Sequence, residues 1–244
     1  MKQILILLTI ILAFSCNKAS HEQGCYVDVI NDVTDEHILR PKAQAILELF
    51  NLSEDKDASA SFSYSEIRDI SLVPVTSFSL PDRVTTESRN HKNEPFFREK
   101  LILSFYDTIK TTLSSPTNRN DTSSLSHSEC FRSVCNELTT LSQDKSARRI
   151  LIVYSNLFEN STLNLYSPRT QKILFKNPGE IKRLFLEMHL LPDHLDGITI
   201  IFVYQPTNRD DDKLYNSIVT IYKSLLQERG ARVIVQANNT HFNI

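Results

Sequence analysis

Four glycines in 244 residues supply neither a GxGxxG turn nor a P-loop, both of which need glycine so that backbone N–H groups can approach phosphate. No G-x-S-x-G elbow is present, so the strained turn that exposes a hydrolase serine is missing. The seven histidines form no HExxH pattern, and the four cysteines form no CxxC or Cys/His zinc spacing. Asp28 and Asp32 stand four apart, so a phosphatase-like Asp-x-Asp arrangement is absent too. No basic block occurs and the formal net charge is −2, which removes the electrostatic case for nucleic acid. No apolar run approaches the about 20 residues that a membrane-spanning helix needs.

What the chain does have begins at its first residue. Met1-Lys2-Gln3 precedes an apolar run from Ile4 to Phe14, broken only by Thr9. A basic end, a short apolar core and a small residue before a cut define a signal peptide. Leu12-Ala13-Phe14-Ser15-Cys16, followed by polar Asn17-Lys18, resembles a lipobox, whose cysteine carries palmitate-type acyl chains. The expected organisation is a signal peptide over residues 1–15, a lipidated Cys16 with its tether over 16–24, and one α/β domain over 25–244. The anchor at Cys16 would supply the membrane contact, since several acyl chains hold far better than one. The expected location is the bacterial cell envelope, on the outer membrane of a Gram-negative organism.

Three cysteines remain in the domain: Cys25, Cys130 and Cys135. An exported protein meets an oxidising compartment, but three is odd, so at least one thiol stays out of any intrachain pair. Cys130 and Cys135 lie about 140° apart around a helix of 3.6 residues per turn, which argues against a bond between them. Cys135 shares an apolar face with Phe131, Val134 and Leu138 and is expected to be a buried small hydrophobe. Cys25, opening the first strand, is expected to be buried as well.

Apolar periodicity predicts a strand over 25–30 and a helix from near Pro41 with Ala45, Ile46, Leu49 and Phe50 inward. Two strands follow, over 58–64 and 71–80. Helices are predicted over 96–112 and about 126–142. The apolar run at 149–154 suggests a strand buried on both faces. Then come a helix capped by Asn177-Pro178, a strand over 198–204, a helix carrying Leu214, Ile218, Ile221, Tyr222 and Leu225, and a last strand over 232–236. Alternation of helices with buried strands predicts an α/β fold, a three-layer, Rossmann-like and mostly parallel sheet with helices on both faces.

In an open parallel sheet, ligands bind beyond the carboxyl ends of the strands. That edge would gather Asp32, Thr34 and Asp35 after the first strand, and Ser155, Asn156, Glu159 and Asn160 after the strand at 149–154. Gln205, Asn208 and Arg209 follow the strand at 198–204. Ser123, Ser124 or Ser126 could join from the loop ahead of a helix. Oxygen ligands of this kind suit hard cations such as Mg²⁺ or Ca²⁺. Asp, Asn, Ser and Thr are equally the ordinary residues of strand ends and helix caps. Asp193, His194 and Asp196 precede a strand, on the opposite edge, and read as turn residues. Arg209-Asp210-Asp211-Asp212-Lys213 reads as a charged helix start, where acidic residues favour the dipole.

The segments Val27-Asp28-Val29-Ile30-Asn31-Asp32-Val33-Thr34-Asp35 and Ile152-Val153-Tyr154-Ser155-Asn156-Leu157-Phe158-Glu159-Asn160-Ser161 resemble those of a von Willebrand factor A (vWA) domain, particularly in bacterial vWA-like lipoproteins. The helix Ser128 to Leu138 between them is similar as well, and the order of elements agrees over about residues 25–238. That resemblance implies a metal-ion-dependent adhesion site built on an Asp-x-Ser-x-Ser loop, a Thr or Ser from a later loop, and an Asp after a central strand. Asp32 matches the first position and Thr34 the second. The third falls on Glu36 and the late Asp on Asn156, both departures. Ser123, Ser124 and Ser126 compete for the loop position.

The resemblance therefore implies a degenerate edge of Asp32, Thr34, Ser124, Ser126 and Asn156 that holds Mg²⁺ or Ca²⁺ weakly at most. A neutral amide in place of a carboxylate lowers the charge that attracts the cation. The expected role is a non-enzymatic module that binds another envelope or secreted protein. The alternative is a metal-dependent hydrolase or transferase using Asp32, Asp35 and Glu159.

Overall fold

A computed structural model describes residues 24–68, 71–83, 97–115, 128–161, 163–242 and 244. Cys16 and the serines at 123, 124 and 126 lie outside the described residues. Strand β1 (Gly24–Asp32) is buried along most of its length, as expected of a strand covered on both faces. Helix α1 (Ala43–Phe50) turns Ala45, Ile46, Leu47, Leu49 and Phe50 inward and ends at Asn51, which takes the left-handed conformation common after a helix. Strands β2 (Ser59–Arg68) and β3 (Ser71–Leu80) pair antiparallel. Their register shifts between Tyr64 and Ser65, beside Pro74 on β3. Proline has no N–H for the ladder and is tolerated at such an edge.

Helices α2 (Phe97–Ser114) and α3 (Cys130–Gln143) come next, then β4 (Arg148–Tyr154). Helices α4 (Pro168–Lys176) and α5 (Pro178–Glu187) precede β5 (Ile198–Val203), and α6 (Arg209–Gln227) leads to β6 (Arg232–Gln236). Gly230 closes α6 at φ 95°, and a Cβ there would meet Asp196 Oδ1 at 2.3 Å, so no other residue fits without displacement.

The six strands form one sheet in the order β3-β2-β1-β4-β5-β6. Every pairing except β2–β3 is parallel. The α/β class and the mostly parallel sheet expected from the sequence are therefore present. The order reverses between β1 and β4, and a crevice opens beyond the carboxyl ends at such a switch point.

Two aromatic clusters cover the sheet. Phe50 and Phe105 meet at 5.1 Å, and Phe78 joins Phe105 to Phe62 of β2. Phe131 of α3 stacks on Phe185 of α5 at 4.3 Å, and Tyr222 of α6 meets both edge-on and reaches Phe202 of β5. Cross-strand register aligns Phe62 with Val27 and Phe202, through Val153, with Ile30, so the clusters occupy opposite faces. Buried Arg98, at the start of α2, donates to the carbonyls of Lys56 at 2.7 Å and Ala58 at 2.6 Å. Backbone oxygens thus satisfy a charge that would otherwise be costly to bury.

Several expectations need correction. Helix α4 is an addition to the expected elements: only Leu174 on it is buried, and its apolar side chains form the single run Ile173 to Phe175 near its end. Helix α3 starts at Cys130 rather than near residue 126, since Ser128 forms an isolated bridge with Asn160 instead. Strand β2 runs on past Tyr64 to Arg68, because Glu66 is buried and accepts from the Tyr64 hydroxyl at 2.9 Å and from Arg68 Nε at 2.7 Å. Cys25, Cys130 and Cys135 are all buried and free. Among the described residues no helix is long and apolar enough to cross a membrane.

Candidate functional site

Asp32 ends β1 at the switch point and is 2 % exposed. Its Oδ1 accepts from the backbone N–H of Thr34 at 3.0 Å and from the Thr34 hydroxyl at 2.6 Å, a local turn that aspartate makes readily. Its Oδ2 accepts from the Ser155 hydroxyl at 2.8 Å. Ser155 leaves β4 next door and itself accepts from Leu157 N at 2.9 Å. The thiol of Cys130, at the first residue of α3, lies 3.6 Å from Asp32 Oδ2, 3.6 Å from the Ser155 hydroxyl and 3.1 Å from that of Ser128. The β1 loop, the β4 loop and the start of α3 therefore lock together around one buried carboxyl group.

Glu159 provides the second lock. Its Oε2 accepts from Phe131 N at 2.9 Å, satisfying an orphan donor of the first turn of α3, and its Oε1 accepts from Ser161 at 2.7 Å. Burial pushes Glu159 from 4.5 up to about 7, against the opposing pull of those donors. Burial also raises Asp32, although Thr34, Ser155 and Cys130 all donate to it. Desolvation first, then the charges of Asp32 and Glu159, push the Cys130 thiol well above its ordinary range. A thiol held that way is an inert neutral group rather than a nucleophile.

Outside this centre lies an open crevice of about 400 Å³, lined by Thr34, Asp35, Glu36, His37, Asn160 and Tyr166 among others. Asn156 joins centre and crevice. Its Oδ1 accepts from Phe158 N at 2.9 Å, while its Nδ2 faces Asp35 Oδ2 at 3.3 Å and the Tyr166 hydroxyl at 3.5 Å. Tyr166 is 49 % exposed, with its ring edge-on to Phe158 at 5.7 Å. Burial raises its hydroxyl to about 12, so it is a neutral donor and acceptor. Asp35 Oδ1 accepts from His37 N at 2.9 Å and lies 3.0 Å from His37 Nδ1.

Asp32, Thr34 and Asn156 thus belong to one sheet edge, but Asn156 reaches Asp35, whereas Ser155 takes the place beside Asp32. The amide does hold the β1 loop, as a group that both donates and accepts can. Ser124 and Ser126 fall outside the described residues. Asn208 caps α6, accepting from Asp210 N and Asp211 N at 3.0 Å each, so it serves the helix rather than the crevice. Two participants had no signal in the sequence as a site: Cys130, which the sequence raises only as a disulfide partner, and Tyr166, on an irregular stretch. Cys130 could have been found from the apolar row it forms with Val134, Leu138 and Leu141, which aims the first turn of α3 at the sheet.

The described residues of this edge do not fit a divalent cation. Both oxygens of Asp32 are engaged, a neutral thiol abuts Oδ2, and Asn156 points elsewhere. Among the described residues no group of three or more His, Cys, Asp or Glu is placed to hold a metal. The chain matches no protein-family model, no curated protein and no solved structure.

Proposed function

We propose that this chain is an envelope lipoprotein, anchored through Cys16, whose three-layer vWA-like domain binds another envelope or secreted protein without catalysing a reaction. The observation that carries this reading is the division of the switch-point edge into a closed centre and an open rim. Asp32, Ser155, Cys130 and Glu159 spend their polar atoms on one another, on the hydroxyls of Thr34, Ser128 and Ser161, and on the backbone. Asp35, Glu36 and the half-exposed Tyr166 ring remain at the crevice. Enzymatic use of Asp32 and Glu159 would require breaking the contacts that fix α3. The rim instead offers carboxylates beside an aromatic face, an arrangement that suits Lys or Arg side chains on a partner.

The test places a photo-crosslinking amino acid at Tyr166 of the full-length protein in living cells, with His194 on the opposite edge as control. A discrete adduct with an envelope protein at 166 and none at 194 supports the reading. Equal labelling at both positions refutes it.

A further inference from the structure

Asp28 is wholly buried in the middle of β1, and the centre described above does not use it. Its Oδ1 accepts from the Ser63 hydroxyl of β2. Among the described residues no donor reaches its Oδ2. Glu137 of α3 lies in hydrogen-bonding contact with the Asp28 carboxyl group, and its own Oε1 accepts from Ser65 at 3.1 Å. Two ionised carboxylates cannot donate to each other, so as a charged pair they would leave Oδ2 orphaned and two like charges in contact. Both features are costly in a buried place. A single proton removes both, turning the contact into a charge-assisted O–H···O⁻ hydrogen bond.

The surroundings supply no other remedy. Tyr26, on β1, donates to Ser63 at 3.4 Å rather than to either acid, and Leu151 is the apolar neighbour of Asp28 on β4. Asp144, just past α3, adds a further negative charge felt at Tyr26. Arg148 and Arg149, which open β4, donate to backbone carbonyls: Leu49 for the first, and Leu141, Asp144 and Asp196 for the second.

We infer that Asp28 and Glu137 hold one proton between them and act as a pH-sensitive latch that ties α3 to the sheet. Burial first, then the neighbouring Glu137 charge, raise the Asp28 carboxyl well above its ordinary 3.8, in the same direction as the geometry. Glu137 stands seven residues, about two turns, beyond Cys130, so the latch grips the helix whose first turn contacts Asp32 and Glu159. Loss of the proton sets two carboxylates against each other across the β1–α3 contact and loosens that helix.

The test is a carboxyl ¹³C NMR titration of the full-length protein, read residue by residue, with unfolding measured alongside. The expected result is that the Asp28 carboxyl group titrates well above the ordinary carboxylate range. Asp28→Asn, whose amide donates to Glu137 at any pH, should remove part of the stability loss on alkalinisation, up to about tenfold in the unfolding constant per pH unit. Glu137→Gln should do the same from the half-buried side, and serves if Asp28→Asn does not fold. Both carboxyl groups titrating in the ordinary acid range, or an unchanged pH slope in every folded variant, overturns the inference. If neither variant folds, the titration of the natural protein decides alone.

Discussion

Glu159→Gln should flatten a large part of the pH dependence of stability. In the fold, burial lifts the Glu159 carboxyl to about 7 against an ordinary 4.5. The native state then binds a proton more tightly than the unfolded chain. Between these two values the native state carries more protons, so stability is full below about pH 4.5, falls as pH rises, and levels off above about pH 7. A displacement of that size corresponds to about 3 kcal/mol for one group, an upper figure because the denatured reference is idealised. Glutamine keeps the geometry: its carbonyl can accept from Phe131 N and its amide can donate to the Ser161 oxygen. Denaturant unfolding of both forms across pH 4 to 9 is the assay. The natural protein should lose stability towards alkaline pH, and the variant should lose up to about 3 kcal/mol less over the same range. A variant with the same slope as the natural protein, displaced by a constant amount, would show that Glu159 does not titrate in that window.

Other outcomes follow from the same reasoning. Cys16→Ala should abolish incorporation of labelled palmitate in cells and move the protein out of the membrane fraction; acylated variant would refute the anchor. Alkylation of the unreduced, folded protein should leave Cys25, Cys130 and Cys135 unmodified, while unfolding should expose all three without a reductant, as mass spectrometry would record. Asn156→Asp should gain about tenfold or more in Mg²⁺ affinity by pairing with Asp35, and Asp35→Asn should cancel that gain; calorimetry on the single and double variants distinguishes this from a site centred on Asp32.

Much of the fold could be read because burial leaves a period in the sequence. The run Ile150 to Tyr154 is apolar but for one hydroxyl and is buried at every position, while α6 shows an inward stripe through Leu214, Ile218, Ile221, Tyr222 and Leu225. Where a segment is short and buries little, the pattern is too brief to read: α4 hides Leu174 alone, within the single apolar run Ile173 to Phe175. Polar residues also disguised structure. Glu66 looks like a strand end, yet the Tyr64 hydroxyl and Arg68 make it burial-competent. At the site, Asp32 and Thr34 were legible because their contact is local, two residues apart. Whether Ser155 or Asn156 faces Asp32 depends on one residue of turn geometry after β4, which composition does not encode. The contact of Cys130 with Asp32 spans 98 residues and needs both the helix register and the strand order.

The buried acids also act in one direction. Asp28, Asp32 and Glu159 are each raised chiefly by burial, so each favours the protonated fold and their pH slopes add. Glu48 and Glu228 are shifted the other way by hydrogen bonds to Gln44 and Lys182, but both stand open to solvent, where screening leaves such pairs little influence. The buried set therefore decides the sign, and the domain should be stiffer on the mildly acidic side of neutrality. Two of these groups meet the first turn of α3, Glu159 through Phe131 N and Asp32 through Cys130, and Asp28 meets its middle through Glu137. One helix thus collects these three buried acids, and its first turn holds Asp32 and, through Glu159, the β4 loop that runs on to the crevice lining at Asn160. If the proposed partner seats in the crevice, changes in pH alter its binding through the order of α3, whereas the rim carboxylates reveal themselves through salt, which screens them and leaves the buried acids nearly untouched.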